Sequence, residues 1–294
     1  MSLIAFSPYV ESRTLNGKQV DGLTSDLCAE SAGSVDLTVA REISGNLHIA
    51  FQGTTRSGPF DISGQTARYW LLQPNVNGKS NADVVRPWSN GLDVTRRPSD
   101  TWIIDFGVGI PISEAALYEL PFAHCNTFVK PTRLQNRNPR LVENFWHYDG
   151  VRVGMRKALM PLNRYIATTI TAKHRLFVWI HPTKLLDATL VAIARSDDVS
   201  FGVLHSRMHE LWSLARGSTL EDRPRYLPGA VFETFPLPPG FTPADTAHQR
   251  TQLLPSGAQI PDFFAAQSMG NNEKYLHKNN YLRKSTIISK YIRQ

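Results

Sequence analysis

The sequence predicts an α+β fold in which mixed sheets and short helices pack around one long amphipathic helix. Residues 201–216 repeat apolar side chains every three or four positions, which is the spacing of a helix with one buried face. Residues 102–106 and 176–180 are rich in β-branched and aromatic side chains, as strands are. Between such runs lie short segments that begin with a helix-capping residue, for example Ser113. Short helices are therefore expected between the strands.

The amphipathic helix is the element around which the rest of the chain is interpreted. One stripe of it consists of Leu204, Met208, Leu211 and Ala215, with Trp212 beside them. We expect this stripe to face the core. A neighbouring stripe carries His205, His209 and Arg216. Because Gly217 is a suitable residue to end the helix, the charged residues that follow would be presented from a rigid base.

The composition is that of a globular protein whose basic charge is unevenly distributed. Of 294 residues, 41% are apolar and 10% aromatic, which is enough to form a substantial core. The formal net charge is +7, but residues 271–294 hold six Lys or Arg and one Glu and so contribute +5 of it. Residues 1–270 have a surplus of only +2. An anionic partner of the main body would therefore have to bind a local basic patch.

The cysteines and the apolar runs indicate the cellular compartment in which the protein is expected. Cys28 and Cys125 lie far apart in the sequence and lack metal-ligand spacing, which fits a reducing environment. No apolar run approaches the roughly 20 residues that cross a bilayer, and residues 1–10 lack the pattern of a signal peptide. The sequence predicts a soluble, cytoplasmic protein with no membrane partner.

The chain divides into four segments by composition. Residues 1–45 are polar and irregular, whereas residues 46–240 contain the predicted strands and helices. Residues 241–270, rich in Pro, Gly, Ala, Gln and Ser, are typical of a linker. Residues 271–294 form a basic tail that is either disordered or foreign to the fold.

Motifs of cofactor-dependent enzymes are absent from the sequence. It contains no Gly-x-Gly-x-x-Gly fingerprint, no Walker-type phosphate loop and no Gly-x-Ser-x-Gly elbow. It also lacks the Asn/Asp-Pro-Pro-Tyr/Phe tetrapeptide with which amino-methylating enzymes hold a flipped base. A complete nucleotide-dependent or cofactor-dependent active site is therefore not expected in this chain.

Three basic clusters lie beside predicted strands. They comprise Arg96 and Arg97; Lys130 with Arg133, Arg137 and Arg140; and Lys173, His174 and Arg175. Each cluster alone fits a solvated turn. Together they favour a groove that follows the phosphates of a nucleic acid.

The two histidines of the amphipathic helix admit three interpretations. His205 and His209 are four residues apart and so share one helix face, where they could contact nucleic acid, pack in the core or hold a metal ion. The order differs from His-Glu-x-x-His, because Glu210 follows the second histidine. No third ligand is evident in the neighbouring sequence, and we predict no metal.

The loop after the helix mixes charges of both signs. Glu221, Arg223 and Arg225 form either a surface ion-pair loop or a set of base contacts. The planar fork of arginine matches the two major-groove acceptors of guanine, and a carboxylate can accept from the amino group of cytosine. A mixture of signs suits bases better than phosphates.

An ordered set of short motifs covers most of residues 46–240. The motifs are Phe51-Gln52-Gly53; Asn90-Gly91-Leu92-Asp93 with Arg97-Pro98; Trp102-Ile103-Ile104-Asp105-Phe106; Lys173-His174; Leu204-His205-Ser206 with His209-Glu210-Leu211-Trp212; and Phe232-Glu233-Thr234-Phe235-Pro236. In this order they resemble the target-recognition region of MmeI-like DNA methyltransferases, bacterial restriction-modification enzymes that methylate adenine using S-adenosylmethionine. The resemblance implies a DNA target-recognition domain at 46–240, with double-stranded DNA as partner.

The resemblance also implies what this chain lacks. In that family the catalytic domain lies upstream and contains the S-adenosylmethionine site, whose motifs do not occur here. We therefore expect a detached or truncated specificity module that has no cofactor, has no methyltransferase activity of its own, and works with a separately encoded methyltransferase domain. Base-reading positions of the family precede the Phe-Glu-Thr-Phe-Pro element, which implies that role for Glu221, Arg223 and Arg225.

Two alternatives remain open at this point. One is an independent metal-dependent hydrolase that uses His205, His209 and a carboxylate such as Glu210 or Asp198. The other is a folded remnant that no longer binds DNA.

Overall fold

The computed structural model describes residues 37–221 and 223–238, together with the backbone of five short strands nearer the N terminus. Those strands are β1 (Ile4–Ala5), β2 (Arg13–Leu15), β3 (Lys18–Val20), β4 (Gly22–Leu23) and β5 (Ala29–Glu30). The first three form an antiparallel sheet, and β4 and β5 form an antiparallel pair. The predicted linker at 241–270 and basic tail at 271–294 lie outside the described residues.

Two four-stranded sheets form the framework of the described region. The first contains, in spatial order, the antiparallel strands β11 (Phe177–Ile180), β10 (Tyr165–Thr169), β13 (Leu190–Ile193) and β6 (Ala50–Gln52). The second contains β12 (Leu185–Leu186), β8 (Val85–Ser89), β9 (Thr101–Ile104) and β7 (Asp61–Ser63). In the second sheet β12 runs parallel to β8, whereas the other pairs are antiparallel. The expected α+β fold with mixed sheets is confirmed.

The first sheet is covered on both faces. All five residues of β10 are buried. Because side chains alternate along a strand, Ile166 packs in one apolar cluster, whereas Tyr165 and Ala167 pack in another with Met155 and Leu159. Burial on both faces explains why the sequence of this strand lacks a polar alternation.

Short helices surround the sheets. They are α1 (Gly64–Leu71), α2 (Gly91–Thr95), α3 (Ile112–Ala115), α4 (Glu119–His124), α5 (Lys130–Leu134), α6 (Pro139–Glu143) and α7 (Val153–Leu159), with 3₁₀ turns at Leu37–Val39, Ser44–Asn46 and Asn81–Asp83 and a π-helical turn at Cys125–Val129. Side chains cap some of them, whereas α3, the shortest, begins after Pro111 without a side-chain cap and not at the predicted capping residue Ser113. Asn90 and Asp93 form a capping box at the start of α2, each side chain accepting from the other's backbone N–H. Within the described part of the chain, every helix is too short or too polar to span a bilayer.

The two sheets are joined where β6 ends. The amide of Gly53 donates to Leu190 O at 2.9 Å, and the amide of Thr54 donates to Leu186 O at 2.8 Å. A Cβ on Gly53 would overlap the carbonyl oxygen of Asp187, so a larger residue does not fit there. The crossing from one sheet to the other therefore depends on glycine.

The long amphipathic helix predicted at 201–216 is divided into two helices. They are α8 (Asp198–Leu204) and α9 (Arg207–Arg216). Ser206 begins the second helix, because its hydroxyl accepts from the amide of His209 at 3.2 Å. Asp197 caps the first helix in the same way. The prediction of one continuous helix was wrong because a helical apolar spacing does not reveal that a serine inside it acts as an N-cap.

The break changes which face of α9 is buried. Met208 and Leu211, expected in the core, are 54% and 50% exposed. His209 is 0% exposed, and Ser213 on the same face is also buried. The Nε2 atom of His209 lies 3.0 Å from the hydroxyl of Tyr226. His209 is therefore a core histidine, and its interpretation as a DNA contact is corrected.

We predict that His209 makes the protein less stable in acid. Burial foremost, and then the charges of Arg175 and His205, lower the pKa of His209 from 6.5 to about 3. The unfolded chain therefore binds a proton that the folded chain excludes. Below about pH 6.5 and down to about pH 3, this residue should lower the free energy of unfolding by about 1.4 kcal/mol per pH unit.

Urea unfolding of the wild type and of His209→Gln between about pH 7 and about pH 4 measures this contribution. The wild type should lose stability more steeply than the variant, because glutamine does not titrate. His174→Gln, which removes an exposed histidine, is the matched control. A stability difference between wild type and His209→Gln that is independent of pH would contradict the prediction.

Candidate nucleic-acid interface

The charged residues after α9 form a β-hairpin. Its strands are β14 (Ser218–Leu220) and β15 (Arg223–Arg225), which pair antiparallel with Leu220 opposite Arg223. Glu221, at the turn, has a φ of 56°, in the left-handed region. At Gly217, between α9 and β14, a Cβ would overlap backbone carbonyl oxygens, so glycine permits the close approach of the two elements. The sequence predicted a charged loop here, and the structure forms a short hairpin instead.

Among the described residues of the hairpin tip, a carboxylate and a guanidinium lie side by side. Oε2 of Glu221 and Nη2 of Arg223 are 3.6 Å apart, and both side chains are largely exposed. An exposed ion pair of this kind contributes little to stability. Arg225 lies at the base of the hairpin instead, half-buried and bridged to Thr171. The tip is thus able to offer a donor and an acceptor to an external ligand.

One of the predicted basic clusters lies beside the hairpin. The amide of Ala172 donates to Pro224 O at 3.3 Å. Lys173 and His174 follow on the same turn and are exposed. The tertiary structure therefore places the segment 171–174 beside strand β15 (Arg223–Arg225), although the two are far apart in the sequence.

Arg175 points inward, unlike its two neighbours. Its guanidinium donates to Thr168 Oγ1 at 3.2 Å and to the carbonyls of Thr169 and Pro224. It also lies 5.1 Å from the ring centroid of Tyr226. Burial lowers the pKa of Arg175 and raises that of Tyr226. Pro224 and Tyr226 belong to the predicted charged loop, but only the tertiary structure shows that they contact Arg175.

His205 is exposed, but both of its ring nitrogens contact the fold. Its Nδ1 lies 2.9 Å from Phe201 O, and its Nε2 accepts from the amide of Phe177 at 3.4 Å. The ring packs against the rings of the same two phenylalanines, and burial lowers its pKa. His205 is thus held between the end of α8 and the start of β11 while part of it stays exposed, and its contact with DNA stays a prediction.

The cluster in α5 divides in a similar way. Arg133 is 1% exposed, and its guanidinium donates to the carbonyls of Arg56, Ser57, Asn144 and His147. The same group lies 5.1 Å from the ring centroid of Phe60. Arg133 therefore joins three backbone segments, and its interpretation as a phosphate contact is corrected. Lys130 in the same helix is exposed, as are Arg96 and Arg97 after α2.

The residues of the metal-hydrolase alternative are not assembled into a site. His209 is buried, Glu210 pairs with Arg207 at 2.7 Å, and Asp198 pairs with Arg164 at 3.3 Å. Among the described residues, no group of three or more His, Cys, Asp or Glu side chains is placed to hold a metal ion. The geometry gives this alternative no support.

Comparison with known proteins identifies a shared fold. No protein-family model and no curated protein matches the chain. Among solved structures, the chain is similar to MmeI, a type IIL restriction-modification enzyme in complex with DNA, with a TM-score of 0.57 and 18% sequence identity. The match covers 80% of this chain and 30% of that chain, so this chain spans less than a third of the enzyme it matches. The predicted resemblance is confirmed at the level of a restriction-modification-related fold.

Proposed function

We propose that this chain is the DNA sequence-recognition part of a restriction-modification adenine methyltransferase. The observation that carries the proposal is the exposed Glu221–Arg223 pair at the tip of the hairpin. Strand β15 of that hairpin is bonded through Pro224 to Ala172, directly before the exposed Lys173 and His174. The proposal is further supported by the fold, which resembles that of an enzyme solved in complex with DNA. Residues 46–240 are the proposed recognition domain.

In the proposal, the hairpin tip reads base edges in the major groove. This groove admits a two-stranded β-ribbon. Arg223 donates to the N7 and O6 atoms of guanine, and Glu221 accepts from the amino group of cytosine. A separation of 3.6 Å between the two side chains suits the reading of neighbouring groups on one base pair. Arg225 lies at the base of the hairpin and, in the proposal, contacts a base at the margin of the site that the tip reads.

In the proposal, a second set of residues binds phosphates. Lys173 and His174 flank the hairpin, and Arg96, Arg97 and Lys130 are exposed cations elsewhere on the domain. Phosphate contacts fix the register of a protein on the duplex, whereas base contacts set the sequence that is bound. Both kinds of contact are therefore needed for site-specific binding.

The catalytic chemistry belongs to a different part of the enzyme in this proposal. Transfer of a methyl group from S-adenosylmethionine would require a methyltransferase domain supplied by another polypeptide. The chain alone would bind duplex DNA without methylating it. Methyl transfer by the purified chain in a tritium assay would overturn this part of the proposal.

We predict salt-dependent binding to duplex DNA in which Lys173 contributes one phosphate contact. Lys173→Ala should weaken binding to all sequences to the same extent and should reduce the slope of log K against log salt by about 0.9. Fluorescence anisotropy over a salt series measures both quantities. Lys157→Ala is the control, since Lys157 is exposed on α7, which packs on the opposite face of the first sheet from Tyr226.

Absence of duplex binding by the wild-type chain at low salt would instead favour the remnant interpretation. Equal slopes for the wild type and Lys173→Ala would remove Lys173 from the interface.

We predict that Arg223→Ala relaxes the base preference at one position of the bound site. The loss of a bidentate contact to guanine should cost about 1 to 3 kcal/mol of discrimination at that position. Selection from a library of random duplexes, carried out with the wild type and the variant in parallel, measures the change. Glu221→Gln should alter preference at the same base pair, because it replaces an acceptor by a group that also donates. An unchanged preference in Arg223→Ala would show that this residue does not read bases.

A further inference from the structure

The hairpin is too small to fix its own orientation. Its strands contain three residues each and form three residue pairs. Every described residue of the hairpin is exposed or half-buried, so it has no core of its own. An isolated two-stranded hairpin is at best marginally stable in water. The direction in which the tip points must therefore be set by contacts at the base.

One side chain connects the base of the hairpin to the first sheet. Nη1 of Arg175 donates to Thr168 Oγ1 and to the carbonyl of Thr169, both at the end of β10. Nη2 of the same guanidinium donates to Pro224 O in β15 at 3.3 Å. A single planar group therefore spans the gap between the central strand and the strand that carries Arg223.

The ring beneath Arg175 is itself held in place. Tyr226 is 0% exposed, and its amide donates to Ile170 O at 2.7 Å. Its hydroxyl lies 3.0 Å from His209 Nε2, in α9. The guanidinium of Arg175 thus packs on a ring that is bonded to both the first sheet and α9. These bonds fix the position of the ring, and the ring in turn supports the guanidinium.

The described contacts of Arg175 are with neutral groups, namely two carbonyls, a hydroxyl and an aromatic ring. Burial of a cation among neutral partners is unfavourable compared with apolar packing of similar size. Apolar packing would not fix a distance, whereas the rigid fork of arginine does so through several directed hydrogen bonds. The arrangement favours precision of placement over stability.

We propose that Arg175 is a positioning residue for base readout, which holds the hairpin at the distance from β10 that lets Glu221 and Arg223 reach their base pair. This inference rests on the proposed function of the hairpin. It assigns Arg175 a role different from the phosphate contact expected from its place in a basic cluster.

Hydrogen exchange of the full chain without DNA tests the anchor itself. In Arg175→Ala the backbone amides of β14 and β15 should exchange faster, whereas those of β10 should keep wild-type rates. Unchanged exchange in the hairpin would overturn the proposal, whatever the protein does with DNA.

Selection of bound duplexes tests the consequence for readout. Arg175→Ala should reduce the ratio of specific to non-specific affinity by roughly 5- to 150-fold, the factor associated with one misread base pair. The salt slope of non-specific binding should stay at its wild-type value, because the Arg175 guanidinium is bonded to groups of the protein and, in this proposal, neutralises no phosphate. A wild-type ratio in the variant would overturn the proposal.

Two further variants separate positioning from its rivals. Arg175→Lys keeps the charge but not the fork, so it should lose the specific ratio as Arg175→Ala does. Retention of the ratio by lysine would indicate a charge contact and overturn the proposal.

Arg133→Lys is the matched control, because Arg133 is also an arginine bound to carbonyls, but in α5. Arg133→Lys should lower thermal stability while keeping the ratio of specific to non-specific affinity. An equal loss of this ratio in Arg133→Lys would mean that the effect at Arg175 is general destabilisation, which would overturn the proposal. If the wild type itself shows no sequence preference, the proposed function fails, and hydrogen exchange still decides the anchor.

Discussion

Burial of β10 on both faces is the constraint on which the rest of the structure depends. The strand lies between two apolar clusters and pairs with β11 and β13 along its length. The residues directly after it are fixed by the same packing. Ile170 O accepts from the amide of Tyr226, and Ala172 donates to Pro224. The exposed hairpin is therefore attached next to a strand that is buried on both faces.

This attachment explains how an exposed group can have a defined position. Recognition residues commonly lie on loops that a rigid scaffold positions. Here the tip has the freedom of a surface hairpin, while its base is tied to a sheet and, through Tyr226, to α9. A mixed-charge pair at the tip then has a fixed direction without being buried.

Several charged side chains that look like surface groups in the sequence belong to the interior. Arg133 and Arg175 each satisfy several backbone carbonyls. A side chain can do this when its aliphatic stem is covered and its donors meet oxygens that would otherwise be unpaired. Basic clusters in a sequence therefore contain two kinds of residue, and only tertiary contacts distinguish them. Lys173 and His174 remain at the surface, whereas Arg175, the next residue, does not.

Local patterns in the sequence determined the fold class and several of the strands. The runs at 102–106 and 176–180 became β9 and β11, because β-branched and aromatic side chains suit a pleated sheet whatever its partners. The sequence also identified the charged segment 221–225. Only the tertiary structure decided that Ser206 divides the helix, that Met208 and Leu211 face outward, and that residues 173–174 lie beside the hairpin. The physical reason is that periodicity records local spacing, whereas burial and the partners of a polar group depend on contacts between residues far apart in the chain.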